Sequence, residues 1–188
     1  MFLMVNIMPS RKNKSGFSLY EMLVVLSIVA IMLSFAIPAV THQLLVRNNE
    51  EAAMQFESVL KNAQEEALRR GVTITICAAN YKVNDVLYNC LGTNDWSEGI
   101  LSYIDLNNAN GYDSGERLQS LSFTQGVTIS GNESALYVNP NGQFYDNDVD
   151  DSWTFDLSQT RFGSTINTKI KLNNMGYVSA CKVGDSGC

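Results

Sequence analysis

Histidine is almost missing from this chain of 188 residues, which has only His42, and no acidic residue precedes Glu21. The first shortage removes the usual general base and zinc ligand from everything beyond residue 42. No Gly-x-Ser-x-Gly elbow, phosphate-cradling glycine loop or Cys-x-x-Cys pair occurs either, so hydrolase, nucleotide-binding and zinc-knuckle readings lack their chemistry. The expectation is a protein that is not an enzyme and needs no cofactor. Basic residues are also few, 13 against 19 acidic, for a net charge of −6. A chain of that sign is poorly suited to neutralising phosphates, and no direct nucleic-acid binding is expected. Without linkers or repeats, the sequence reads as one globular domain plus an N-terminal segment.

Charge is missing most completely between Met22 and Val40, where only Ser27, Ser34 and Pro38 interrupt the hydrocarbon. The stretch from Phe17 to Val40 counts 24 residues. As a helix it is about 36 Å long, enough for a hydrocarbon core of about 30 Å. Arg11, Lys12 and Lys14 precede it with no compensating acid, so the positive-inside rule keeps the N-terminus cytoplasmic. A single pass with the C-terminal domain exported follows. A secretory signal carries its cleavage site beyond the apolar core, whereas the one credible processing point here, Gly16, lies ahead of it. Glu21 then stands at the mouth of the span. Such a carboxylate costs about 3 kcal/mol near a bilayer centre and so calls for a partner. Snorkelling to the headgroups from the first helical turn is the plainer alternative.

Gly16, Phe17, Ser18, Leu19, Glu21 and Pro38, behind a short basic leader, resemble the class III leader of the type IV pilin and pseudopilin superfamily. The resemblance implies that residues 1–16 are a cleaved leader, that a prepilin peptidase cuts between Gly16 and Phe17, and that Phe17 is N-methylated. It implies a transmembrane and filament-core helix over residues 17–40, with Glu21 and Pro38 serving assembly. Glu21 of one subunit would neutralise the free Phe17 amine of a neighbour, since a carboxylate and an ammonium in low dielectric relieve each other's desolvation when paired. Tyr20 departs from the usual aliphatic residue without disturbing the signature. Removing the leader's three basic residues takes the net charge from −6 to −9.

From Thr41 the hydrophobic continuity breaks but the helical period persists. Leu45, Ala52, Phe56, Val59, Leu60, Ala63, Ala67 and Leu68 recur at spacings of three and four, with charged residues on other faces. This amphipathic continuation, residues 41–71, ends at Gly71 after Arg69 and Arg70, and Pro38 is a candidate bend. Beyond it, residues 72–188 read as a β-rich periplasmic domain. Expected strands are Val72 to Ala78, Ile100 to Ile104, Gly126 to Ser130, Ala135 to Val138, Trp153 to Leu157, Thr165 to Leu172 and Tyr177 to Cys181. Asn173 to Gly176 reads as a hairpin turn. The fold class is therefore α+β, one long helix packed on an antiparallel sheet.

Arg70-Gly71, the strand ending at Cys77, the second cysteine, Trp96-Ser97-Glu98-Gly99 and the Asp105-Leu106-Asn107 loop running to Glu116 resemble the FimT/GspH-like group of minor pilins and pseudopilins, FimU-type minor pilins above all. That implies a noncatalytic subunit priming pilus assembly in a minor-pilin complex near the tip, in support of twitching motility and DNA uptake. Its partners would be other minor pilins, the major pilin, the prepilin peptidase and the inner membrane. The alternatives are an H-type pseudopilin of type II secretion and, from another class, a DNA-binding or adhesive pilus module. The tail from Ala180 to Cys188 has one lysine and no arginine cluster, which weakens the DNA reading.

Cys77, Cys90, Cys181 and Cys188 form an even set on the exported side, where an oxidising compartment favours disulfides. Four cysteines permit three connectivities. Cys77–Cys90 and Cys181–Cys188, each closing a short polar loop, is the pairing expected. No metal is expected, although Asp105, Asn107, Asp113 and Glu116 partly match a calcium loop. Ala109 and Asn110 break that pattern, and Asn–Gly clusters between strands are ordinary turn chemistry. The acidic cluster Asp146, Asp148, Asp150 and Asp151 reads as a solvated loop. Trp96 and Trp153 read as core aromatics, and His42 as a solvated or interfacial residue.

Overall fold

The computed structural model describes residues 16–182 apart from 83–85, 108–110, 124–125, 147–150 and 162, and apart from the side chains of residues 35–39, Lys82 and Lys182. Among the described residues one helix, α1 (Leu19–Arg70), precedes ten strands. Its first backbone bond runs from Met22 N–H to Ser18 C=O at 3.1 Å. Glu21 lies in the first turn and Arg69 and Arg70 in the last, each sign complementing the helix dipole. At the far end Gly71 takes a φ of 67° and donates to the Ala67 carbonyl at 2.9 Å. A left-handed glycine is the standard way to satisfy a terminal carbonyl and turn the chain away. The helix runs through Pro38 without interruption.

The chain divides into two compact units, Met1–Val40 and Thr41–Cys188, with the break inside α1. In the second unit Phe56, Val59, Leu60, Ala63 and Ala67 are buried and join one core cluster with residues from the strands. Their spacing of three and four puts them on one helical face, and burying each large apolar side chain contributes about 1.5–3 kcal/mol.

The strands form two antiparallel sheets. The first takes β1 (Ile74–Lys82), β2 (Val86–Cys90), β3 (Gly99–Tyr103), β4 (Arg117–Ser122), β6 (Ala135–Val138) and β7 (Phe144–Tyr145), in the order β4-β3-β1-β6-β7 with β2 on the far end of β1. The second runs β10-β9-β8-β5, from β10 (Val178–Lys182), β9 (Ser164–Asn173), β8 (Ser152–Arg161) and β5 (Val127–Gly131). Successive residues of β1 serve opposite faces: Ile74, Ile76 and Ala78 join the helix-facing core, whereas Cys77 and Ala79 join a second cluster with Leu101 and Tyr103.

The α+β class expected, one long helix packed on antiparallel strands, is what the structure shows, with the strands divided between two sheets. The physical reason lies around β5, which pairs with β8 instead of the first sheet. Its other edge is closed by the 94–97 segment, through Trp96 N–H to the Ile129 carbonyl and Gly131 N–H to the Asn94 carbonyl. A Cβ at Gly131 would sit 2.8 Å from Trp96 Nε1 and 2.9 Å from the Phe155 ring, so only glycine fits this junction. Trp96 and Phe155 meet edge to face at 5.3 Å, and Phe56 of α1 lies 5.7 Å from Trp96 and 4.5 Å from Phe155. This aromatic triad ties both sheets to the helix.

Candidate assembly site and the loops around it

Gly16 lies just ahead of α1, and a Cβ built on it meets nothing within 4 Å. Phe17 is 79% exposed. Gly16 and Phe17 are thus both exposed ahead of α1. Glu21, one turn further, is exposed and has no hydrogen bond or ion pair among the described residues. Leu19, Tyr20, Met22, Leu23, Leu26, Ile31 and Met32 are all exposed large apolar groups on the same stretch of helix.

The hydroxyls of Ser27 and Ser34 on this stretch bond within the helix. Ser27 Oγ donates to the Val24 carbonyl and Ser34 Oγ to the Ile31 carbonyl, both at 2.7 Å. Hydroxyls paired in this way carry no unmet donor into an apolar environment. Among the described residues, no helix is long and apolar enough to cross a membrane. The side chains of residues 35–39, Pro38 included, and Arg11, Lys12 and Lys14 of the expected leader lie outside the described residues. His42 is exposed on α1.

Cys77 and Cys90 are joined, with Cα atoms 5.7 Å apart, and clamp β1 to β2. Cys181 is also disulfide-bonded. Its expected partner, Cys188, lies outside the described residues, as does the rest of the tail beyond Lys182.

The Asp105–Glu116 loop closes on itself. Glu116 is buried, its Oε1 accepting from Leu106 N–H and its Oε2 from Asp113 N–H, both at 2.9 Å. Asn107 Nδ2 donates to Asp113 Oδ2 at 2.7 Å. Three of the four side chains of the expected calcium loop, Asn107, Asp113 and Glu116, thus take part in loop hydrogen bonds, and the described residues contain no cluster of three or more acidic, His or Cys groups placed to hold a metal ion. In the other acidic cluster, Asp148 and Asp150 lie outside the described residues. Asp146 departs from the solvated-loop expectation: it is buried and accepts from Trp153 Nε1. A buried indole N–H needs an acceptor, and this carboxylate supplies it. Trp153 and Trp96 are both fully buried, the latter donating to the Glu133 carbonyl at 2.9 Å.

Two positioning residues on α1 escaped the sequence reading. Gln64 Nε2 donates to the Gly142 carbonyl at 2.7 Å and the Met175 carbonyl at 3.1 Å, stapling two turns to the helix. Asn49, fully buried, donates to Thr168 Oγ1 of β9 at 3.1 Å. A polar residue at an otherwise apolar helical position was the available signal for Asn49. For Gln64 there was none, because its partners are backbone carbonyls far away in sequence.

A long helix with an exposed apolar first half, an amphipathic second half packed on antiparallel sheets, and an open glycine junction at its start together define a subunit of the pilin class. A family model described as Type II transport protein GspH matches residues 52–176, and one described as the prokaryotic N-terminal methylation motif matches residues 11–37. The chain belongs to the GspH family. The methylation motif implies a membrane-anchored subunit. No curated protein matches the chain. Similar solved structures include two crystal forms of the type IV minor pilin FimU of Pseudomonas aeruginosa strain PAO1. The P65 form is 18% identical, covers 70% of this chain and 91% of its own, and has a TM-score of 0.49. The P21 form is 16% identical, covers 74% and 89%, and has a TM-score of 0.45.

Proposed function

We propose that this chain is a minor type IV pilin, a noncatalytic subunit that primes pilus assembly within a minor-pilin complex near the tip and so supports twitching motility and DNA uptake. The observation that carries this reading is the contrast inside α1. Its apolar half is exposed and holds a carboxylate, Glu21, with no partner among the described residues, directly after the open Gly16–Phe17 bond. Prepilin peptidase cuts that bond and methylates Phe17, and the Glu21 carboxylate of one subunit then pairs with the Phe17 amine of its neighbour. In a filament core of low dielectric each charge relieves the other, whereas either alone is strongly disfavoured. Pro38 is the second assembly position, where a helix can absorb a change of direction. The anchor places the chain in the inner membrane before assembly, with the β-rich domain periplasmic.

A pseudopilin of type II secretion is the second reading, favoured by the description of the family that residues 52–176 match. Deleting the gene separates the two: loss of surface pili and twitching with normal protein secretion supports the pilus, and the reverse pattern supports secretion. Intact mass of the chain recovered from membranes tests processing. The expected mass starts at N-methylated Phe17 and reverts to the uncut chain in Gly16→Ala; a cut chain in that variant overturns the assignment.

A further inference from the structure

Tyr137 of β6 and Tyr145 of β7 are direct cross-strand partners, which places their side chains on one face of the first sheet. Their rings stack with centres 5.4 Å apart and planes at 29°. Tyr145 is 40% exposed and Tyr137 is half-buried, so reagents in solution reach the pair. The strand that carries Tyr145 is only two residues long, Phe144–Tyr145, and lies at the end of its sheet.

The groups that compete most strongly for a one-electron oxidant are withdrawn from it. Trp96 and Trp153 are fully buried. Cys77 and Cys90 are already joined, and Cys181 is disulfide-bonded too, so among the described residues no thiol is left to quench a radical. Such bridges also mark a chain suited to an oxidising compartment. The other close tyrosine pair, Tyr103 with Tyr112, meets edge to face at 5.6 Å and 73°, and Tyr103 is only 5% exposed. Tyr177 is 70% exposed but has no ring partner among the described residues.

We propose that Tyr137 and Tyr145 are an oxidative modification site, where an oxidant of the haem-peroxidase class working with hydrogen peroxide joins the two rings as dityrosine. Each phenol gives up one electron and its hydroxyl proton, and together these reduce one peroxide to two waters. The two phenoxyl radicals then pair their odd electrons in a carbon–carbon bond between ring positions beside the oxygens. Each of those carbons loses its hydrogen as a proton while each oxygen regains one, so both phenols are restored and the chain is lighter by two hydrogens. Holding the rings together makes the coupling intramolecular, an advantage that partners in dilute solution lack. The link fastens β7 to β6 covalently, as the Cys77–Cys90 bridge fastens β1 to β2. It does not depend on the filament assignment.

The test treats the full chain in detergent with hydrogen peroxide and a haem peroxidase. A photogenerated ruthenium(III) tris-bipyridyl oxidant, small enough to reach any exposed ring, is run in parallel. The expected product is a monomeric chain lacking two hydrogens, with dityrosine fluorescence and a link between Tyr137 and Tyr145 in peptide mass spectra, in a yield that dilution of the protein does not change. Tyr137→Phe and Tyr145→Phe, which keep the rings and remove the phenols, should each lose the link, whereas Tyr112→Phe should retain it. Thermal melts of the same samples show that each variant is folded. The proposal is overturned if neither oxidant yields the internal link, or if coupling occurs only between chains through exposed tyrosines such as Tyr177. Survival of the link in Tyr145→Phe, or its disappearance in Tyr112→Phe, overturns it as well.

Discussion

The two halves of α1 share a helix but not a solvent. From Leu19 to Ser34 its large apolar side chains are exposed all round, whereas from Leu45 to Ala67 a single stripe is buried against two sheets. An amphipathic helix finds its partner inside its own chain, and one that is apolar on every face must find lipid or other helices. Stability should therefore depend on the second half and association on the first.

Breaking that division most severely means emptying the shared core. Phe56→Ala removes the ring that touches both Trp96 and Phe155, and a cost of about 3–5 kcal/mol is expected from urea melts of the full chain in detergent. A cost below about 1 kcal/mol would show that the triad does not join the sheets. Next comes the Cys77–Cys90 bridge. Its sequence separation of 13 predicts about 3 kcal/mol lost in the paired serine variant. Gly131→Ala is smaller, about 1–3 kcal/mol, since its methyl must displace Trp96 or Phe155. Reading each melt by near-ultraviolet circular dichroism, which follows the tryptophans, tests this ordering.

Much of this contrast was legible in the sequence because it rests on local period. The change from an all-round apolar run to spacings of three and four marks the break near Val40, and Gly71 marks the end of the helix. The Asn173–Gly176 turn was equally visible: Gly176 takes a φ of 81° and donates to the Asn173 carbonyl at 3.0 Å. What escaped depends on distant pairing. Strands β2, β4 and β7 are short or half-exposed and gain their structure from β1, β3 and β6, and the division into two sheets turns on Gly131 meeting Trp96 and Phe155. Asp146 looked like one more solvated acid because its partner, the Trp153 indole, belongs to the next strand. Gly16, Phe17 and Glu21 stand out in the sequence by motif, and the pairing we propose for Glu21 is between subunits, so a single chain would not contain it.

The smallest expected effect sharpens the comparison from the polar side. Glu66 is held below the usual carboxylate range by hydrogen bonds from Arg69 and then Arg70. A depressed carboxylate contributes stability above its unfolded pKa, and that contribution is lost as pH falls through its folded value. Because these groups are exposed and screened, Glu66→Gln should leave the melting temperature at neutral pH nearly unchanged and slightly flatten its fall in acid. A large loss at neutral pH would mean that the helix end carries more of the domain's stability than its packing indicates.

Glu21 provides the most direct test, because it separates folding from association in one residue. The full chain carrying Glu21→Ala is compared with the parent for its melting temperature in detergent and for its amount in filaments sheared from the cell surface. The account predicts an unchanged melt and at least about a tenfold fall in the filament fraction, as expected when one partner of a buried ion pair is removed. Equal recovery of variant and parent in sheared filaments would contradict it.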